Sequence, residues 1–560
     1  MLVSDGVYRE TVSMYADTSH GNLLVLKAQN PGGVTIKASD VYTNFTNVGN
    51  GIYSVPWTNN WGVSPLPAGW DTVEDQVEDI VGRREVVLIN ENNLDQKLRF
   101  DQLVPGSFFV DEGLDKIYIY PQVGVNINTS TVEIGTRGRV VTLSGKTNLV
   151  FNGFNLEHSA YSIIDGGGSA LWVQALNNAS IVNLNIKNNG GSGLGLLTLS
   201  HVFFNNIKAN NNGSNGIGGS QQTQTVYNNI ELKNNNWRGK RGDFTGWSQA
   251  GIKVLYVVDA TFNNILTQDN YTYGLWCDTG CTNVVMNNLQ SFNNERGGAY
   301  IEANHGPIEM VNSKIANNDG FGVLLANASN LMIDNSILYN NESSQIILTG
   351  DGNGRTSKNW VTNEGVLVSV YNSNFKSINN VIFAKDSANK LFDTTYNSTQ
   401  LSNFLSTAEF SNNQYYHYNN ENSFEKSSNI FVPFTDWVDL SNETGSKFVE
   451  PICYVNPEQN NFSLDSSCTN NQGSNNGDGS GSEIPSSGKG ICGPLDSNSN
   501  GLVDLVDFTK FSGNLYNKII CTDTIEYGNC GGMDSNKDKI IDDIDFKNLI
   551  VKYKNSSACI

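Results

Sequence analysis

The sequence predicts an all-β chain wound as a right-handed parallel β-helix, with an inserted β-rich subdomain and a small α-helical module at its C-terminal end. Three observations predict it. Glycines that open short apolar strands recur at Gly193, Gly216, Gly251, Gly274, Gly298 and Gly322, in steps of 23, 35, 23, 24 and 24 residues. Asparagines keep the same beat at Asn206, Asn229, Asn264, Asn288 and Asn312, and a second series runs through Asn270, Asn294, Asn318 and Asn341. Charged residues are only 16% of the chain, and Asn, Gly and Ser are used instead, which suits stacked turns better than helices.

A repeat of this length cannot bury its apolar face alone. Coil stacked on coil gives a continuous core, with Asn side chains bonding their counterparts above and below. An Asn-rich low-complexity tract would not hold apolar strands in register. Handedness follows from the general preference for right-handed parallel crossovers.

The elements follow in order. Residues 1–48 read as the first strands of the solenoid. Residues 49–135 break the rhythm with longer strands such as REVVLIN and KIYIYP, and read as an inserted β-rich subdomain. Coils fill 136–468. The 35-residue step marks one coil with about a dozen extra residues, a loop from Asn235 through Trp237, Arg238, Lys240 and Arg241 to Trp247. After residue 350 the beat weakens, and QLSNFLSTAEF reads as a helix. Residues 469–489, rich in Gly, Ser and Asn, are a flexible linker. Residues 490–560 form the C-terminal module.

The net charge of −20 argues against nucleic acid or an anionic membrane as a partner. No segment is long and apolar enough to span a bilayer, so no membrane insertion is expected. The chain opens on MLVSDGVYRETV, a strand already under way, and the true N-terminus with its export signal is expected upstream. Of eight cysteines, six lie at Cys453, Cys468, Cys492, Cys521, Cys530 and Cys559, and an even number so placed points to disulfides and a secreted or cell-surface protein.

The tail carries a duplicated oxygen-ligand spacing. Asp496, Asn498, Asn500, Asp504 and Asp507 stand at loop positions 1, 3, 5, 9 and 12; Asp534, Asn536, Asp538, Asp542 and Asp545 repeat the pattern. Calcium takes six to eight oxygens from such loops, so two Ca²⁺ sites are expected. Each loop leads into an apolar-periodic stretch that reads as a short helix. This loop–helix pair resembles a dockerin module, although Lys539 stands where the turn glycine is usual and the cysteines are additional. The resemblance implies a cohesin-type protein partner; the bare spacing implies only a calcium-stabilised tail.

Chemistry is expected on the coil faces around Gly274 and Gly298. Strand alternation sends Leu275, Cys277, Ala299 and Ile301 inward and Lys253, Trp276, Asp278, Tyr300 and Glu302 outward. Cys277 reads as a small core residue, and its pairing with Cys281 is open. Asp278 and Glu302 hold the same place on neighbouring coils, so their carboxyls should lie roughly 5 Å apart, the separation of a retaining glycosidase. Their repulsion would favour one acid and one nucleophile. Trp276 and Tyr300 could stack on sugar faces, Lys253 could anchor a hydroxyl or carboxylate, and Asn304 and His305 lie just past Glu302. Trp237, Arg238 and Trp247 would reach substrate from the long loop. Catalysis itself needs no further cofactor.

Gly274-Leu-Trp-Cys-Asp278, followed one coil later by Glu302-Ala-Asn-His305-Gly-Pro307, resembles the catalytic region of glycoside hydrolase family 120 β-xylosidases. GVYRETV and the inserted subdomain are also similar to that family. The resemblance implies a parallel β-helix, Asp278 as nucleophile and Glu302 as acid/base. The Asn-Asn-Trp-Arg-Gly loop and the Gly-Ile-Lys strand look more like a broader group of β-helix proteins. Three functions follow: a retaining glycoside hydrolase on an oligo- or polysaccharide; a polysaccharide lyase or epimerase with Lys253, Arg238 or Arg241 as base; and a non-catalytic glycan-binding surface protein.

Overall fold

The computed structural model describes residues 1–465 except 16–22, 68–76, 165–167, 360–364, 386–388, 419–421 and 428. The two calcium loops, the linker and the C-terminal module, with Asp496 through Asp545, lie outside the described residues.

The chain is a right-handed parallel β-helix. Each coil pairs in parallel with the next, and one inward column runs Leu171, Leu194, Ile217, Ile252, Leu275, Ala299, Val323 and Ile346 in unbroken register. All eight are buried in one hydrophobic core. Aromatic rings stack along the same axis: Phe204, Tyr227 and Phe262 lie 4.7 and 4.6 Å apart, centroid to centroid. The spacing of parallel strands brings like side chains into contact.

The two asparagine series do different work. Asn206, Asn229, Asn264, Asn288 and Asn312 all sit near φ +50°, the left-handed conformation that asparagine tolerates and that bends each strand into the next. Asn212, Asn235, Asn270, Asn294, Asn318 and Asn341 are buried, and each donates a side-chain bond of 2.7–3.0 Å to the next residue up the column, Gln345 taking the last. This second column satisfies the polar groups where the core would otherwise bury bare backbone.

The insertion begins earlier than the sequence suggests. Ser39–Tyr42 already pairs antiparallel with Val132–Gly135, so the chain leaves the solenoid about ten residues before residue 49. A five-stranded sheet completes it, with its own core around Trp57, Phe108, Ile117 and Ile119.

Beyond residue 350 the coils lengthen rather than stop. Met332 pairs with Lys376, a 44-residue step, and Lys376 with Glu409, a 33-residue step. The long step holds an antiparallel hairpin, Arg355–Asn359 with Val366–Val370. The next holds the helix Ser398–Leu405, started by a capping box between Asn397 and Gln400. A second helix, Phe434–Ser441, was not read from the sequence. No described helix is long and apolar enough to cross a membrane.

Candidate active site

The outward stripe runs in register through Trp172, Gly195, Gly218, Lys253, Trp276 and Tyr300. Gly274 and Gly298 let these coils close up. A Cβ on Gly274 would stand 2.6 Å from the Gly298 carbonyl oxygen, too near for any side chain. Leu275, Cys277, Ala299 and Ile301 point into the core.

Trp276 and Tyr300 face outward from the core but stack on each other, 4.6 Å between centroids. The Lys253 ammonium sits 3.3 Å from the centre of the Trp276 ring. Trp276 is thus sandwiched and only 5% exposed, which corrects the expectation of a sugar-stacking platform there. The cause is the coil spacing itself, which presses neighbouring outward rings together. Tyr300 remains partly exposed.

Asp278 stands at the end of its strand. Its Oδ1 accepts bonds from the Thr279 backbone (2.6 Å) and hydroxyl (2.9 Å), and its Oδ2 pairs with Lys253 at 3.1 Å. Glu302 Oε2 accepts from the Trp276 indole at 3.1 Å, and Oε1 pairs with Arg355. Both carboxylates are mostly covered, with 13% and 9% of their side chains exposed. The sequence suggests two carboxylates left to repel each other. Instead each is matched by its own cation, so the four charges balance. Burial lowers the pKa of Lys253 and Asp278 opposes that shift.

The loop bearing Asp278 is pinned twice. A Cys277–Cys281 disulfide closes it, answering the pairing the sequence left open. Asn304, one coil on, accepts from the Cys281 backbone at 2.6 Å and donates to the Cys277 carbonyl at 2.7 Å. Asn304 is fully buried and both ends of its amide are engaged. It is therefore a clamp on the Asp278 loop, not the substrate ligand expected. His305 is 9% exposed, and its Nε2 bonds neither carboxylate nor any other protein group.

The long loop also departs from expectation. Arg238 is completely buried and donates to the carbonyls of Gly190 (3.2 Å) and Glu85 (2.9 Å) and to Gln96 (3.0 Å). It fastens the insertion to the solenoid and cannot meet a substrate. A buried guanidinium must spend its donors on nearby acceptors. Trp237 donates to the Asn211 carbonyl, with Arg238 and Arg241 stacked against it. Arg241 pairs with Asp95 at 2.6 Å. Trp247 keeps an exposed ring, at 44%.

Arg355 was not read from the sequence. Its signal was the 44-residue step: on the outer asparagine column Asn335 follows Asn312 after 23 residues, but the next rung, Asn379, comes 44 residues later, so some twenty residues between them form an excursion. Among the described residues, Glu91, Glu133 and His158 converge as metal ligands would. The Lys37 ammonium already fills that cluster, 2.5 Å from Glu91 and 2.9 Å from Glu133.

Residues 169–326 match the family model Beta_helix, described as a right handed beta helix region. No curated protein matches the chain by sequence. Among solved structures, XylC in complex with xylose is similar over 81% of both chains, at 15% identity and TM-score 0.62. The A-modules of two mannuronan C-5 epimerases of Azotobacter vinelandii are more distant. AlgE6 is 11% identical over 80% of this chain and 90% of its own, TM-score 0.43; AlgE4 is 13% identical over 70% and 85%, TM-score 0.38. At 15% identity the likeness to XylC is one of fold.

Proposed function

We propose that this chain is a glycan-active enzyme, and specifically a retaining glycoside hydrolase on xylose-containing oligosaccharides. The carrying observation is the four-charge cluster beside the outward stripe: Asp278 against Lys253, and Glu302 against Trp276 and Arg355. Lys253 holds the Asp278 carboxylate in place by an ion pair of 3.1 Å, and Asp278 is the nucleophile of this mechanism. Asp278 attacks the anomeric carbon while Glu302 protonates the departing oxygen. Glu302 then takes a proton from the water that hydrolyses the glycosyl ester. Arg355 is 46% exposed by side chain and stands on the excursion hairpin. A guanidinium on Glu302 opposes its protonation, so this reading has Arg355 withdraw when substrate enters. The fold likeness to XylC, solved with xylose, supports the choice of sugar.

The test is turnover of chromogenic xylosides. Asp278→Asn and Glu302→Gln should each lower kcat/KM by at least ~10²-fold with unchanged circular dichroism. Mass spectrometry should find a glycosyl adduct on Asp278. Full activity in both variants would sink the reading.

A lyase or epimerase is the second reading, because a desolvated Lys253 with lowered pKa is a candidate base. Ultraviolet absorbance growing on uronate polymers, without hydrolysis of xylosides, would favour the lyase, and inverted uronate units without absorbance the epimerase. Sugar binding with no release of reducing ends would mark a non-catalytic glycan-binding protein. We propose in addition that residues 490–560 bind two Ca²⁺ ions and dock a cohesin-type partner. Disulfides at Cys277–Cys281 and at Cys453 support an exported protein.

A further inference from the structure

The stripe that carries Trp276 and Tyr300 continues the other way as a trough. Beyond Lys253 its next two members are Gly218 and Gly195, and then Trp172 closes the far end. Three coil steps separate Lys253 from Trp172, roughly 14 Å at the usual strand spacing. The gap is a cavity of about 360 Å³ whose lining includes Ile163, Ile164, Leu197 and Leu255. That is within the range of ligand sites, roughly 300–1,000 Å³.

The two glycines differ in a way that points to a ligand. At Gly195 a Cβ would stand 2.7 Å from a ring carbon of Trp172, so glycine there lets the indole lie across its coil. The indole is held by its bond to Gln174 at 3.1 Å and by the Arg139 guanidinium 4.8 Å from its centroid. At Gly218 the nearest atoms to such a Cβ belong to the Asn215 side chain, at 3.4 Å and beyond, an ordinary contact. Protein packing does not require the space above Gly218, and that space opens on the trough.

The lining chooses the occupant. Among the described residues that line it, Lys253 is the one charged side chain, and that charge is already spent on Asp278. Serine, asparagine and glutamine supply the remaining polar groups, beside one indole. A uronate chain would find no unspent cation among the described lining residues. A neutral sugar chain would find hydrogen-bonding groups and an aromatic surface.

We propose that this trough binds neutral sugar residues of an oligosaccharide running from the Asp278–Glu302 site toward Trp172, so that longer chains are preferred. The proposal rests on the glycan-active reading above, and binding separates the two. Calorimetry would follow xylo-oligosaccharides from disaccharide to hexasaccharide on the full chain carrying Glu302→Gln, with oligogalacturonides alongside. The tetrasaccharide should bind at least tenfold tighter than the disaccharide. Adding Gly218→Leu should erase that gain while leaving disaccharide affinity within twofold. Trp172→Ala should reduce the gain, and thermal melts would verify that both variants fold. Affinity independent of length, a gain that survives Gly218→Leu, or an equal gain with oligogalacturonides would overturn the trough. Absence of reducing-sugar release by the unsubstituted protein, with the length dependence intact, would overturn hydrolysis and leave the trough standing.

Discussion

Asp278 and Glu302 hold equivalent places on adjacent coils yet meet different surroundings. Asp278 lies on a loop locked by a disulfide and by Asn304; Glu302 lies within a strand beneath a hairpin arginine. Asn304→Ala frees the backbone groups at Cys281 and Cys277, each worth about 1–3 kcal/mol when buried unpaired. It should lower both melting temperature and kcat, read by thermal melts and xyloside turnover. A buried glutamate elsewhere offers a sharper thermodynamic check. Glu425 accepts from the Thr394 and Asn429 backbones, and burial, together with its hydrogen bond to Asp393, pushes its pKa up to about 7. A folded-state pKa above the unfolded value means the native protein holds the proton longer. This contribution to stability is full below about pH 4.5 and lost as pH rises through about 7. Chemical denaturation from pH 4 to 8 should show that decline, and Glu425→Gln should flatten it. An unchanged slope in the variant would refute the assignment.

At the level of elements, the two asparagine columns have different consequences. Asn294 donates to Asn318 and the Thr267 carbonyl, and accepts from the backbone and side chain of Asn270. Asn294→Ala strands several buried partners and should cost roughly 2–3 kcal/mol. Asn288 sits at φ +56° on the outer column and bonds Asn264 at 2.8 Å. Glycine suits that backbone, so Asn288→Gly should cost about 1 kcal/mol or less. Urea titrations of the two variants make the comparison; equal losses would contradict the division of labour. Coil length carries information too. Steps of 23 or 24 residues are bare coils, whereas the 35- and 44-residue steps carry the Trp237 loop and the Arg355 hairpin. One excursion fastens the insertion and the other reaches Glu302.

On the scale of the whole molecule, the insertion and the solenoid are joined by buried polar contacts. Lys37 meets Glu91 and Glu133 across the junction, and Arg238 reaches Glu85 and Gln96. Arg238→Met leaves three acceptors without a donor and should cost roughly 3 kcal/mol or more. Its kcat/KM on xylosides, measured well below the new melting temperature, should match that of the parent. A large loss of activity with unchanged stability would restore Arg238 to the substrate site. Calcium belongs to this scale as well. Equilibrium dialysis of the full chain should find two ions, Asp496→Ala or Asp534→Ala should each remove one, and xyloside turnover should survive chelation across the linker. Fewer than one bound ion would end the calcium proposal.

The sequence by itself determined the β-helix, because stacking forces the same residue types back at every turn and the beat is written into Gly193 to Gly322. It also determined which side chains leave the core at Lys253, Trp276 and Tyr300, since strand alternation has no other solution. Coil spacing turned Trp276 into a packed ring, and buried Arg238 and Asn304 became a fastener and a clamp. Tertiary structure alone decided what each outward group meets. Arg355 reaches Glu302 from 53 residues away in the chain, and no local pattern records a contact made by a returning hairpin. The start of the insertion near Ser39 was hidden for the same reason: strand content is legible locally, but the antiparallel partner at Val132–Gly135 is not.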